Sequence, residues 1–246
     1  MNKKHQETAK SQRIYTLGGI ASAIAILVIV ADIVIGTITG ADLTALPQTA
    51  MERFNQLEQN WLLGLYNLDL LNAINQLILI PTFFAIYIAL SHSQKEFALL
   101  AFILFVTGSI IMVTGNAALP MLELSSKYHI ATAHTQRQLL AAAGEAVLIQ
   151  GEHGSKAMFI GFALPPLAST LFSALMVENP IFRKATGYLG LFGNALMLTY
   201  VVLITFIPST KSVALTLAMP GGLMVLVWLL MLTAKLFKLG SLKLSL

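Results

Sequence analysis

Six apolar stretches dominate the sequence, and each is long enough to cross a lipid bilayer as a helix. Such a helix needs roughly 20 mostly apolar residues. The chain is 57% hydrophobic and only 11% charged, whereas a soluble domain carries roughly 25% charged residues. The sequence therefore predicts an all-α, polytopic transmembrane bundle of six helices, which forms a single integral membrane domain over residues 1–246. The predicted spans are 14–38, 65–90, 97–119, 157–176, 186–207 and 213–237.

Basic residues lie at the ends of these spans and predict the orientation of the chain. The first apolar run is too long for a cleaved signal peptide, whose apolar region has roughly 7–15 residues. Ten Lys and Arg residues fall on the side of the two termini, and five fall on the other side. The positive-inside rule then predicts cytoplasmic termini in the inner (plasma) membrane, with loops 40–64 and 120–156 facing outward. Because these cations flank spans, no nucleic-acid partner is expected.

The first outward loop has the pattern of an amphipathic helix that lies at the membrane interface. Apolar Met51, Phe54, Leu57 and Trp61 recur at helical spacing, whereas Arg53 falls on the polar face. No helix breaker follows Trp61 before the second span, which favours one continuous helix through this region.

The second outward loop predicts another amphipathic helix, so that two extracytoplasmic helices would roof the bundle. Thr135 and Gln138 have the spacing of a capping box, and an alanine-rich, helix-forming run follows them. Gly151 is a natural end for this helix. Glu145 lies on one face with Glu152, and we expect it to belong to a lid over the bundle.

Two segments of this loop, PMLELSS at 120–126 and QRQLLAAAGEA at 136–146, carry a family resemblance. They resemble a motif of a bacterial family of six-span membrane proteins that is known only as a domain of unknown function. This chain has one extra alanine before Gly144, and the resemblance covers about residues 65–205. It implies the six-span architecture and carries no activity, cofactor or partner.

Polar side chains inside the spans are the candidate ligand-binding residues. A charged group at the bilayer centre costs roughly 2.5–3.5 kcal/mol, so such groups face the bundle interior. Packing rarely needs a carboxylate, so Asp32 is expected to recognise a cationic or hydroxyl group. For the amides, the alternative is an interhelical hydrogen-bond network that only fixes packing. The candidates are Asp32, Asp69, Asn72, Gln76, Asn116, Asn194 and, at the lid, Glu145.

Three histidines of the second loop, His129, His134 and His153, support a different hypothesis. Three imidazoles can hold zinc and leave an open position for an activated water. The protein would then be a membrane-embedded, metal-dependent hydrolase. Their spacing matches no metal-binding motif, and zinc is the only cofactor that any residue pattern suggests.

The favoured function is binding or moving a small amphipathic or lipid-like ligand in a polar pocket that opens to the extracytoplasmic side. The hydrolase is the first alternative, and a structural or sensory accessory protein is the second. Pro220 and Gly221 predict a broken sixth span that could line a path. Membrane lipids are the expected surroundings, and a homo-oligomer would pack through the small residues Gly36 and Gly40.

Overall fold

The computed structural model describes residues 3–38 and 47–241, with side chains from residue 10 onward, so Gly40 lies outside the described residues. Every regular element in these ranges is a helix. The ten α-helices are α1 Lys3–Ile38, α2 Ala50–Gln59, α3 Trp61–Asn67, α4 Leu70–Leu90, α5 Lys95–Gly115, α6 Ala118–Ile130, α7 His134–Gly151, α8 Phe159–Glu178, α9 Lys184–Phe206 and α10 Lys211–Gly240, and a short 3-10 turn precedes α10.

Helices α1, α4, α5, α8, α9 and α10 supply six segments that are long and apolar enough to cross a membrane. The first of these segments is Lys10–Ile38, and the third, Lys95–Ile130, also includes α6. The helices of the ring are the six named first. These helices pack as a closed ring in the order α1, α4, α5, α8, α9, α10 and back to α1. The ring closes tightly because Gly240 of α10 lies directly against Thr16 of α1. The predicted all-α bundle of six membrane helices is confirmed.

The four remaining helices, α2, α3, α6 and α7, pack on one another and form what we call the cap. It covers the end of the ring where α4 begins and α5 ends. The cap has its own apolar core, in which Phe54 and Leu57 of α2 pack with Met121 of α6 and Leu148 of α7. Helix α2 approaches α7 closely at Gly144, where a Cβ would lie 2.7 Å from the Phe54 ring.

Aromatic side chains fill the half of the ring away from the cap. The Phe83 and Phe105 rings stack with centroids 3.6 Å apart, and Phe172 and Trp228 pack around Phe83. All four side chains are almost completely buried. These four side chains form a closely packed aromatic cluster between the spanning helices.

The junction between ring and cap differs from the predicted spans. The helix that starts at Trp61 does not run on into the second span, because α3 ends at Asn67 and Asp69 adopts a left-handed backbone with φ 65°. The third span ends at Gly115 rather than 119. Asn116 accepts the Ala118 N–H at 3.0 Å and starts α6. Pro120 then falls in the first turn of α6, where its missing N–H removes no helical bond.

Three further predictions about the helices are wrong. Arg53 was placed on the polar face of the first outward helix, but its side chain is only 1% exposed, whereas Met51 and Trp61 are about half exposed. The capping box at Thr135 is absent, since α7 begins at His134 without a side-chain cap. The sixth span is not broken, because α10 continues through Pro220.

Candidate functional site

A cavity of about 240 Å³, the inner chamber, occupies the half of the ring nearer the cap. All six spanning helices contribute to its wall, which is mostly apolar. Trp228 and the Phe83–Phe105 stack line it on the side away from the cap. Gly222 of α10 also lines it, and a Cβ at that position would meet no atom within 4 Å. The polar residues of the wall are Asn72, Asn75, Gln76, Ser169 and Asn194, together with His153 and Tyr200.

Some of these polar groups have no hydrogen-bond partner. The Oδ1 atom of Asn75, the Oε1 atom of Gln76 and the indole N–H of Trp228 are buried and unpaired. Asn194, in contrast, donates to the Gly190 carbonyl at 2.8 Å, one helical turn back. Buried polar groups are nearly always paired in native proteins. The wall of the inner chamber therefore has hydrogen-bonding capacity that no described residue uses.

A second cavity of about 270 Å³, the outer chamber, lies between the ring and the cap. Its wall is much more polar than that of the inner chamber. Charged side chains come from five places: α1, helix α2 of the cap, the start of α4, the segment after α7, and the start of α10. They are Asp32, Arg53, Asp69, Glu152 and Lys211, and the phenol of Tyr66 lies among them.

His153 and Tyr200 line both chambers and mark the boundary between them. The Nδ1 atom of His153 lies 2.7 Å from Oδ2 of Asp69, and its Nε2 atom lies 2.9 Å from the Tyr200 hydroxyl. With the Nδ1 proton directed at the carboxylate, Nε2 accepts the hydrogen bond of Tyr200. The three side chains thus form one hydrogen-bonded chain across this boundary.

The backbone at Asp69 positions this chain. Asp69 precedes α4 with φ 65°, and its carboxylate does not cap the helix, which leaves it available for His153. A positive φ is uncommon outside glycine, although aspartate tolerates it better than most residues. Beside it, the Tyr66 hydroxyl donates to the Asp32 carbonyl at 3.1 Å. Burial raises the pKa of the Tyr66 phenol above its ordinary value, and the carboxylates of Asp32 and Asp69 raise it further.

Arg53 and Glu152 connect the cap to the rim of the outer chamber. The Nη2 atom of Arg53 lies 2.6 Å from Oε1 of Glu152, and the two side chains are 1% and 30% exposed. The other two guanidinium nitrogens are buried without a hydrogen-bond partner. Because Glu152 directly precedes His153, this ion pair also fixes the segment that carries the histidine.

The predicted ligand-binding residues fall into three groups. Asp32 and Asp69 line the outer chamber, and Asn72, Gln76 and Asn194 line the inner one. Asn116 and Glu145 line neither of these two cavities. Asn116 donates to the Leu68 carbonyl at 3.0 Å, and Glu145 accepts the Ala50 N–H at 2.7 Å. These two side chains join helix ends within the junction and the cap.

The three predicted zinc ligands are not brought together. His129 contacts Glu58, with 3.1 Å between Nδ1 and Oε2, His134 is exposed as the first residue of α7, and His153 pairs with Asp69. In the part of the chain that the structure describes, no three His, Cys, Asp or Glu side chains group as metal ligands. The zinc cluster of the hydrolase hypothesis is therefore not formed.

Several chamber residues were missed by reading the sequence. Tyr66 and Tyr200 resemble the aromatic residues that ordinarily mark a membrane interface. Arg53 and Lys211 had the pattern of solvated loop cations. Tyr200 belongs to the site because it contacts His153, which in turn pairs with Asp69. His153 and Asp69 are 84 positions apart, and no local sequence pattern reveals that they pair.

Comparison with known proteins adds a family assignment. No curated protein and no solved structure matches the chain. Residues 16–235 match the family described as a domain of unknown function, DUF4386. That match contains α4 to α9 completely and most of α1 and α10, so it includes both chambers. The chain belongs to the DUF4386 family.

Proposed function

We propose that the protein binds a small amphipathic, lipid-like molecule whose polar head occupies the outer chamber and whose apolar tail occupies the inner chamber. The observation that carries this proposal is the pairing of a charged and an apolar cavity that share His153 and Tyr200 as walls. Together the two chambers have the size of a small-molecule site, which is typically about 300–1,000 Å³.

The charges of the outer chamber favour a dipolar head group. Arg53 and Glu152 balance one another, whereas Asp69 pairs with a neutral His153 and keeps its negative charge. Asp32 and Lys211 remain as one acid and one base, and neither forms an ion pair with a described residue. Asp32 would accept hydrogen bonds from an ammonium or hydroxyl group of the head, and Lys211 would face its anionic part.

The inner chamber favours a single short chain and binding rather than free passage. Its far side is lined by the buried aromatic cluster around Phe83, which closes the route through the ring. The unpaired amide oxygens of Asn75 and Gln76 would contact water or a polar group near the start of the chain. A ligand could therefore enter and leave from the side of the cap.

The proposed membrane is the inner (plasma) membrane, with both termini in the cytoplasm and the cap outside. This orientation rests on the excess of Lys and Arg at the end of the ring away from the cap. A reporter that fluoresces only in the cytoplasm, fused after residue 246, should be bright. A dark fusion with the protein correctly inserted would reverse the orientation.

The binding test uses a zwitterionic single-chain probe with a primary ammonium, 1-lauroyl-lysophosphatidylethanolamine, titrated into purified protein and followed by native mass spectrometry. Asp32→Asn should raise the dissociation constant by roughly tenfold, as expected for losing a hydrogen bond to a charged group. Glu123→Gln removes an exposed cap carboxylate that lines neither chamber, and it should bind like the wild type. Equal affinities in all three proteins would refute the head-group assignment.

A further inference from the structure

A third cavity, of about 290 Å³, lies at the end of the ring away from the cap. The segment that leads into α9 and the last turns of α10 enclose it. Its basic wall consists of Arg183, Lys235 and Lys238, and its apolar wall includes Ile181, Phe182 and Met231. It shares no lining residue with the inner or outer chamber, so it is a separate site.

Every ionisable side chain in this wall is a cation. Arg183 and Lys238 are exposed, and Lys235 is half-buried. None of the three forms an ion pair with a described residue. Glu178, the described carboxylate nearest to Arg183 in sequence, accepts a hydrogen bond from Gln94 at 3.0 Å. Three like charges around one cavity repel one another, and a bound anion would relieve that repulsion.

The start of α9 adds to the positive potential. Arg183 is the residue before the first turn of this 23-residue helix, and Thr186 in that turn lines the cavity. The start of a helix carries partial positive charge, although the Thr186 N–H already donates to the Arg183 carbonyl at 2.9 Å. Phosphate groups are commonly bound by such a helix end together with Arg and Lys side chains.

The remaining wall is apolar and identifies the kind of phosphate compound. Phe182 is buried, and Ile181 and Met231 are half-buried beside the three cations. Lys235 and Lys238 lie in the last two turns of α10, where a spanning helix reaches the level of lipid head groups. A soluble phosphate would use only the basic wall, whereas a phospholipid would use both walls.

We propose that this cavity is a binding site for the phosphate group of an anionic phospholipid in the leaflet on the side away from the cap. Arg183, Lys235 and Lys238 bind the phosphate oxygens. The start of an acyl chain or the glycerol group lies against Phe182 and Met231. The site is independent of the ligand proposed for the two chambers.

Native mass spectrometry of the purified protein in a neutral detergent tests this site. The probes are dioleoyl-phosphatidylglycerol, dioleoyl-phosphatidylcholine and inorganic phosphate, each titrated separately. The wild type should bind phosphatidylglycerol more tightly than phosphatidylcholine. The triple variant Arg183→Gln, Lys235→Gln, Lys238→Gln should lose that preference. Lys235→Gln alone should weaken phosphatidylglycerol binding by roughly fivefold, as expected for one cation near an anionic head group.

The matched control removes the same number of charges from the same end of the ring. Lys10, Lys95 and Lys184 do not line the cavity, and their replacement by Gln should leave the preference intact. An equal loss in this control, or no preference in the wild type, would overturn the proposal. Tight binding of inorganic phosphate that is lost in the cavity variant would support the anion site and assign it to a soluble phosphate.

Discussion

The ring and the cap are held together by different kinds of contact. Ring helices approach one another at small residues, as where Gly190 of α9 lies directly against Trp228 of α10 and Ser173 of α8. Cap helices also pack closely, as at Gly144, and are in addition joined by side chains that bond to backbone groups or to opposite charges far along the chain. The Glu145 carboxylate binds the Ala50 N–H, and Ser125 donates to the Phe54 carbonyl at 3.0 Å.

This difference indicates that the ring serves mainly as a packed scaffold, whereas the cap contributes charged side chains to the candidate site. The ring offers packing that tolerates few changes, and its interior holds an apolar cavity. The cap is joined partly by polar contacts, and it contributes Arg53 and Tyr66 to the charged chamber. We therefore expect substitutions in the two regions to have separable effects, with cap variants loosening the cap while the ring stays folded.

Arg53→Ala should have the largest effect and should act on the cap. It leaves Glu152 without its ion-pair partner. Removing one member of a fully buried pair costs about 3–5 kcal/mol, and the exposed fraction of Glu152 places this pair at the lower limit. Hydrogen exchange should accelerate in α2 and α7 and stay slow in α4 and α9. Lys127→Ala, which removes an exposed ion pair with Glu123, is the control and should change hydrogen exchange little. If Arg53→Ala accelerated exchange equally in cap and ring helices, the two regions would not respond separately.

Gly190→Ala should act on the ring. Its new Cβ would collide with the Trp228 indole and the Ser173 hydroxyl, and overpacking of this kind costs about 1–3 kcal/mol. Gly222→Ala is the matched control in the same pair of packed helices, because its Cβ meets no atom within 4 Å. We expect a lower thermal midpoint for Gly190→Ala and an unchanged or slightly higher one for Gly222→Ala. Similar midpoints for the two variants would refute the packing argument.

Thr49→Ala should have a smaller effect, confined to the first turn of α2. Thr49 and Glu52 form a capping box, and losing an N-cap side chain costs about 1 kcal/mol. Hydrogen exchange should accelerate at the first α2 amides and stay unchanged at the α7 amides, and comparing the two measures the loss of the N-cap. If the α7 amides accelerate equally, the cap is more cooperative than its separate contacts indicate.

The same capping box predicts a pH dependence. The backbone N–H groups of Gln48 and Thr49 donate to Glu52 and lower the pKa of its carboxyl. A lowered folded-state pKa adds stability above the unfolded value of about 4.3, and this contribution is lost as the pH falls through the folded-state pKa. When the pH is lowered, hydrogen exchange of the α2 amides, corrected for the intrinsic pH dependence of exchange, should accelerate less in Glu52→Gln than in the wild type. An identical acid response would show that Glu52 contributes nothing to it.

Much of the ring could be predicted from the sequence, because long apolar runs in a membrane have few alternatives to spanning helices. The predicted ends failed where a single residue redirects the chain. Asp69 and Asn116 act through backbone conformation and a hydrogen bond to a neighbouring N–H, and neither effect has a distinctive pattern. The cap was harder to predict than the ring, since burial of Arg53 depends on Glu152, which lies 99 residues away.

In the candidate site, too, some residues could be predicted from local sequence, whereas others depend on contacts between distant residues. Asp32 and Asp69 were assigned to a polar pocket because carboxylates in spans are costly, and both line the outer chamber. Glu145 was assigned to a lid, and it belongs to the cap, where it bonds to the backbone of α2. His153 was grouped with two other histidines because they are close in sequence. Its contacts are Asp69 and Tyr200, which only the folded chain brings to it.

The central claim is that an amphiphile places its tail in the inner chamber, and tryptophan fluorescence tests it most directly. The chain has two tryptophans, so Trp61→Phe leaves Trp228, which lines that chamber and is 1% exposed. A lysophosphatidylethanolamine brominated near the end of its chain should quench Trp228 saturably. Adding Gly222→Leu should weaken the quenching by occupying part of the chamber, and Gly222→Ala should preserve it. Absence of quenching in Trp61→Phe, or equal quenching with Gly222→Leu, would contradict the account.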